Sequence, residues 1–391
     1  MNGYFKMVAT GDLHFGNPRI SSSDLYQKLR KYFYPELKDA HLCIITGDVY
    51  DQLLTVNSKA HKFASLFIAD LFNISARTGM QVRLLHGTYS HDRDQLSIFE
   101  TLAIPGTRFK IVNSIEAEEI KDFQCNDEIL NMSLRVGYLP DNLSYKTSME
   151  ALDHLRRTMT VVGFNKLDLI VGHGAFLHTM PADAGHHPPC LYEFSQFEHI
   201  VDGPIVMGHI HVHSRFHNVY YCGSFERMSH GEEEAKGFYT FTRDQSNKEG
   251  WRAKFIENPL ATPFVTLFPT GPDAAAVSND FITQIKAKFP GLFGYVRAVH
   301  ALPEVRSVLH KVCNQQFPNI TFTSKSTGEI ENKQELCIEN IELDLTEEIK
   351  PSADNLGELI YQFLEERNEQ GDVPKADILA KTKELIELDL N

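Results

Sequence analysis

The chain has 391 residues, 42% hydrophobic and 23% charged. That is enough for a sizeable core and for two domains, and it excludes collagen, coiled-coil and disordered classes. No apolar run approaches the roughly 18 residues of a membrane span, and a secretion signal is not expected from the first residues, which lack a basic stretch followed by an apolar one. The formal net charge is −14, but residues 329–391 carry 18 acidic against 6 basic residues. The remaining body is therefore near neutral, and the total charge does not by itself exclude a nucleic-acid partner.

Over the first 240 residues one local pattern recurs. A short apolar run ends at a glycine, and a polar or metal-ligating residue follows. The runs are 5–10 before Gly11-Asp12, 42–46 before Gly47-Asp48, 82–86 before Gly87-Thr88, 167–171 before Gly172-His173 and 205–207 before Gly208-His209. Near-continuous apolar runs of this length predict strands buried on both faces. Residues 58–76 carry apolar side chains at helical spacing, so the class expected is a layered α/β fold. In such folds chemistry gathers beyond the carboxyl ends of the strands. From about residue 261 a β-α-β-α-β unit is expected, with strands at 264–268, 294–300 and 320–323 and helices at 279–289 and 304–315. The boundary falls near Asn258-Pro259, giving domains 1–258 and 259–345. Beyond 346 the spacing of Leu356, Leu359, Ile360, Phe363 and Leu364 predicts one helix. Val373-Pro374 opens a second.

Six cysteines occur without a C-x-x-C pair. Buried thiols in a reducing, cytoplasmic setting are expected in place of a zinc ribbon.

The chemistry lies in the residues after the glycines. Asp12-x-His14 and His209-x-His211 each deliver two ligands to one side of an extended segment. Asp48 and His173 add two more. Mixed imidazole and carboxylate ligands suit Mn²⁺, Fe²⁺, Zn²⁺ or Ni²⁺ better than Ca²⁺. Six strong ligands are too many for one catalytic ion with an open position. They suit two ions about 3.5–4 Å apart with a bridging carboxylate, a centre that polarises phosphoryl oxygens and activates water. His91, not needed as a ligand, is then available to protonate a leaving oxygen, with Asp51 orienting its ring. Isolated histidines such as His41, His61 and His154 read as structural, and the loop with His178, His186 and His187 as a solvated loop or a groove rim.

The order D-x-H, G-D-x-x-D, G-…-H-D, G-H, G-H-x-H resembles that of the calcineurin-like metallophosphoesterases. The stretch Gly223-Ser224-Phe225-Glu226-Arg227 … Gly231-Glu232 … Lys236-Gly237 is similar to one in the SbcD-type recombination nuclease subunits, the bacterial and phage counterparts of the eukaryotic meiotic recombination nuclease. The resemblance covers about residues 4–245; beyond 260 only the layout agrees. It implies a sheet sandwich flanked by helices, a small α/β capping domain and C-terminal helices docking on the coiled coil of an SbcC-like ATPase. It also implies two Mn²⁺ ions, one on Asp12, His14, Asp48 and His211, the other on Asp48, His173 and His209. Exonuclease and endonuclease cleavage of DNA and a homodimer follow from the same resemblance. Where the family reads G-N-H-D, with asparagine a ligand to the second metal, this chain reads Gly87-Thr88-Tyr89-Ser90-His91-Asp92, which puts Ser90 before the histidine as the weaker ligand. Two other readings stand beside the nuclease: a phosphoesterase for a protein or small molecule, and a catalytically weak scaffold that binds DNA ends.

Overall fold

The computed structural model describes residues 4–126, 128–141, 145–179, 191–244, 250–289 and 291–327. Two six-stranded sheets dominate. In spatial order the first runs Arg252–Glu257, Gly237–Asp244, Tyr4–Thr10, Leu42–Ile45, Gln81–Leu85, Arg108–Val112. Its last four strands are parallel, and Gly237–Asp244 joins Tyr4–Thr10 antiparallel. The second sheet runs Ser214–Phe216, Val219–Tyr221, Ile205–Gly208, Leu169–His173, Leu134–Leu139, Glu116–Ile120, with its four central strands parallel.

Alternation along the strands explains why their sequences are apolar throughout. On Tyr4–Thr10, Phe5, Met7 and Ala9 point into a core shared with Val136, Tyr138, Leu169, Val171 and Val206 of the other sheet. Val8 points the opposite way, into a core with Phe67, Ile68 and Leu71. Those three belong to the helix Lys59–Thr78, capped by the Ser58 hydroxyl at its start and closed by left-handed Gly79. The far face of the second sheet is covered by the helix Ser148–Val161 through Leu152, Leu155 and Met159. The layering is thus helix, sheet, sheet, helix, and strands in the middle are buried on both faces. The strands Glu116–Ile120 and Leu134–Leu139 and the helix Ser148–Val161 lie between the third and fourth glycine-ended runs, outside the recurring pattern.

A three-stranded parallel sheet of Phe264–Leu267, Gly294–Val299 and Ile320–Lys325 has its own core with the helices Ala274–Lys288 and Pro303–Gln316. The first of these helices begins earlier than the expected residue 279. The reason is local: Asp273 accepts from the Ala276 N–H at 2.8 Å, and three alanines follow the cap. At the expected boundary Asn258 is buried and donates to the Phe225 carbonyl at 2.9 Å and the Glu226 carboxylate at 3.2 Å. Cys43, Cys222 and Cys313 are buried thiols. Among the described residues no helix is long and apolar enough to cross a membrane. The helices expected over 346–391, and the end of the expected capping domain, lie outside the described residues.

Candidate metal centre

Every glycine-ended run finishes at the same edge of the two facing sheets. Asp12 and His14 follow Tyr4–Thr10, and Asp48 and Asp51 follow Leu42–Ile45. Residues 88–92 follow Gln81–Leu85, His173 ends Leu169–His173, and His209 and His211 follow Ile205–Gly208. The first two loops are zipped together by backbone hydrogen bonds, Asp12 N–H to the Gly47 carbonyl at 3.0 Å and Leu13 N–H to the Asp48 carbonyl at 2.8 Å.

Four of the predicted ligands have a left-handed backbone: Asp12 (φ 49°), His14 (φ 49°), Asp48 (φ 53°) and His209 (φ 89°). Such conformations cost a non-glycine residue about 1–3 kcal/mol each and gather at functional sites. The glycines before the ligands have a steric reason. A Cβ on Gly87 would lie 2.1 Å from an Asp48 carboxylate oxygen, and one on Gly47 would lie 2.6 Å from His173 Nδ1. The side chains that converge here occupy the space a larger residue would need.

Three groups of side chains each bring their ligand atoms within 4.8 Å of one another: Asp12, His14 and His211; His14, Asp48 and His91; and Asp48, His173 and His209. His14 Nε2 lies 3.1 Å from His211 Nε2 and 3.8 Å from Asp48 Oδ2, and His173 Nε2 lies 3.2 Å from the same Asp48 oxygen. Asp48 therefore sits between two clusters. Asp12 is fully buried; its Oδ1 accepts from the His209 N–H at 2.8 Å, and its Oδ2 has no hydrogen-bond partner. A buried carboxylate oxygen without a partner is costly. A cation beside it removes that cost, and the imidazole and carboxylate donors fit a borderline divalent ion. The arrangement can hold a metal ion.

The surrounding residues set which ring atoms face inward. His173 Nδ1 meets the Thr46 carbonyl at 2.7 Å, which leaves Nε2 facing Asp48. Burial alone lowers the His173 pKa, but the Asp48 carboxylate beside it lifts it to about 10. Burial opposes the Asp48 charge, and His173, then His14 and His91, hold its carboxyl well below the ordinary range. Burial and then the charge on His173 push His209 down to about 3.

Behind His211 lies the segment 229–236. Glu232 is fully buried, and its Oε1 lies 3.6 Å from His211 Nδ1. Lys236 Nζ donates to the other Glu232 oxygen at 2.6 Å and to the His211 carbonyl at 2.9 Å, and Ser229 donates to Glu232 at 3.2 Å. Burial opposes the Glu232 charge, and His211 and Lys236 bring its pKa to about 2. Glu226, just before this segment, is buried too and joins Lys28 at 2.6 Å and the Thr262 N–H at 2.8 Å.

His91 is buried beside His14, with ring centroids 4.8 Å apart. Its Nδ1 bonds the main-chain carbonyl of Asp51. Asp51, the residue expected to orient His91, reaches it through this carbonyl, while its carboxylate faces His14 Nδ1 at 3.3 Å and accepts from Asn17 at 2.8 Å. Ser90 lies in the single helical turn Tyr89–Asp92. The hydroxyl that reaches Asp48 Oδ2 and His173 Nε2, each at 3.2 Å, belongs to Thr88. The sequence motif hid this because its two extra residues stand between Thr88 and His91.

Two more residues escaped sequence reasoning. Asp92 accepts four backbone N–H groups, from Gly87 at 2.8 Å, Asp48 at 2.9 Å, Val49 at 3.0 Å and Tyr50 at 3.1 Å. Glu232 was noticed only within a motif. Their signal was adjacency: Asp92 follows His91 directly, and Glu232 follows a glycine. His61 bonds the Tyr50 hydroxyl at 3.1 Å and is structural. His178 stacks on Phe216 at 4.2 Å, and His186 and His187 lie outside the described residues. No protein-family model matches the sequence, and no curated protein matches it.

Proposed function

We propose that this chain is a metallophosphoesterase of the calcineurin-like fold that hydrolyses DNA phosphodiesters with two Mn²⁺ ions. Asp12, His14, Asp48 and His211 would hold one ion, and Asp48, His173 and His209 the other. The observation that carries the reading is Asp48, whose Oδ2 lies within 3.8 Å of His14 Nε2 and 3.2 Å of His173 Nε2. One carboxylate belonging to two ligand groups is what a two-ion centre needs.

When bound, the ions supply charge for the phosphoryl oxygens and activation of water. The chain supplies the rest. His91 commits Nδ1 to the Asp51 carbonyl, so Nε2 is the atom that gives a proton to the leaving oxygen. Glu232 places negative charge 3.6 Å from His211 Nδ1, and Lys236 holds the His211 main-chain carbonyl. A cavity of about 480 Å³ is lined by Leu53, Leu54 and Val56 after Asp51, by Tyr89 before His91, and by His61, Asp94, Gln95 and Ile98. Its exposed Tyr89 offers a nucleobase a surface to stack on. The resemblance of residues 223–237 supports the role of nuclease subunit in an SbcCD-like ATPase–nuclease complex for break repair and recombination. In that role residues 346–391 dock on the ATPase, two copies pair as a homodimer, and the setting is the cytoplasm, as the buried thiols favour.

The test is digestion of single- and double-stranded DNA and of bis-p-nitrophenyl phosphate by Mn²⁺-loaded protein, with and without the ATPase. DNA cleavage that His91→Ala lowers by about 10²–10⁴-fold at unchanged metal content supports the reading. Cleavage of bis-p-nitrophenyl phosphate alone favours a small-molecule or protein phosphoesterase. Fewer than two ions and no cleavage favour the DNA-end scaffold.

A further inference from the structure

We propose that Thr88 is an oxygen ligand, through Oγ1, to the ion held by Asp48, His173 and His209, and that its neutral hydroxyl makes this the weaker and exchangeable site. The inference rests on the two-ion reading above and deepens it.

The geometry is a triangle. Thr88 Oγ1 is 3.2 Å from Asp48 Oδ2 and 3.2 Å from His173 Nε2, and those two atoms are themselves 3.2 Å apart. Neighbouring ligands of an octahedral ion with bonds of about 2.1 Å stand about 3.0 Å from one another. Three donors at equal spacings near that value have the outline of one face of a coordination shell. A hydroxyl, a carboxylate and an imidazole are all acceptable donors to a borderline divalent ion.

The backbone holds Thr88 in place from both sides. Its N–H donates to Asp48 Oδ1 at 2.6 Å, so the residue is tied to the carboxylate it would share an ion with. Its carbonyl accepts from the His91 N–H at 2.9 Å and the Asp92 N–H at 3.0 Å, which starts the turn that carries the candidate acid. Gly87, just before it, has no room for a Cβ against Asp48. A neutral alcohol draws a cation less strongly than a carboxylate or an imidazole does. With Thr88 as its fourth donor, this ion leaves before the one on Asp12, His14, Asp48 and His211, and activity follows the free Mn²⁺ concentration.

The experiment is Mn²⁺ binding to the full chain by titration calorimetry and by metal analysis after equilibrium dialysis, with electron paramagnetic resonance to detect the spin-coupled pair. The wild-type chain is expected to bind two ions with unequal affinity. Thr88→Val, which keeps shape and removes the hydroxyl, should weaken the second ion at least tenfold, abolish the coupled signal and leave the first ion unchanged. Thr88→Asn, which restores a stronger oxygen donor, should tighten the second ion, a gain that loss of folding cannot imitate. Ser90→Ala should bind as the wild type does. Two ions at wild-type affinity in Thr88→Val, or loss of the second ion in Ser90→Ala, would overturn the assignment. Wild-type protein that binds two ions but cleaves no phosphodiester leaves Thr88 as a ligand and removes the catalytic reading. Protein that binds no ion removes both.

Discussion

The carboxylate of Asp92 holds the backbone N–H of Asp48 at 2.9 Å, and so fixes the loop on which the shared candidate ligand is presented. The same carboxylate takes the N–H groups of Gly87, Val49 and Tyr50. Burial, and next the charge of Asp48, push its pKa up to about 7, while the N–H donors favour the ionised form. Asp92 touches no other candidate ligand's donor atom in these bonds; it is a positioning residue, clasping two loops that each carry part of the centre.

Asp92→Ala leaves buried N–H groups without an acceptor. It should lower folding stability by roughly 1–3 kcal/mol, the cost of leaving a buried donor unsatisfied, offset in part by loss of the repulsion from Asp48. The effect is read by denaturant unfolding in the presence of chelator, so that metal loss is not counted twice. An unchanged midpoint would mean that water replaces the carboxylate.

Glu232→Gln removes the charge beside His211 while keeping the shape. Losing such a partner typically costs 10–100-fold in metal affinity. Because Lys236 Nζ lies 2.6 Å from Glu232, the substitution also leaves that cation without its carboxylate. Calorimetric Mn²⁺ titration should show the loss at the ion of Asp12, His14, Asp48 and His211. Equal weakening of both ions would show that the effect is a general loosening.

Tyr89 is 52% exposed at the rim of the 480 Å³ cavity. Base–aromatic stacking is worth about 1–3 kcal/mol, so Tyr89→Ala should raise the KM for DNA by about 5–100-fold. The increase should be larger for DNA than for bis-p-nitrophenyl phosphate, which has no base. Equal changes on the two substrates would remove the stacking role.

Metal removal should destabilise the protein, because Asp12 and Asp48 are buried carboxylates that each belong to a group of side chains able to hold an ion. At free Mn²⁺ about 100 times its Kd, one site contributes about 2.7 kcal/mol. Scanning calorimetry should show the transition falling by about 5 °C or more when excess EDTA replaces Mn²⁺. A transition at the same temperature would mean that the centre does not bind the ion in the folded state.

Away from the centre, Glu118 meets Arg83 at 2.7 Å and the Tyr138 hydroxyl at 2.6 Å. Burial opposes its charge, but Arg83 and Tyr138 outweigh that and lower its pKa from the ordinary 4.5. A depressed carboxylate contributes stability above its unfolded pKa and loses it as pH falls through the folded value. Glu118→Gln should therefore lower the melting temperature at pH 7 and make it less steep in acid, below about pH 5. Parallel curves for the two proteins would show that the pair contributes nothing.

The sequence by itself determined the layered α/β class, the five strands that run up to or through a glycine, and the Asp and His side chains that gather beyond them. It could do so because strand burial on both faces leaves an unbroken apolar run, and because only glycine fits where Asp48 and His173 press against the backbone. The same local signals located the sheet and helices of residues 264–325. Tertiary structure alone decided the partners. Motif order placed Ser90 next to the acid, but chain folding brings Thr88 to Asp48 and His173. It also turned the Asp51 carboxylate to His14 and gave Asp92 and Glu232 their places behind the ligands. Hydrogen bonds across 40 or more positions of chain, as between Thr88 and Asp48 or His173 and Thr46, depend on how loops from two sheets meet. No spacing along a single strand carries that information.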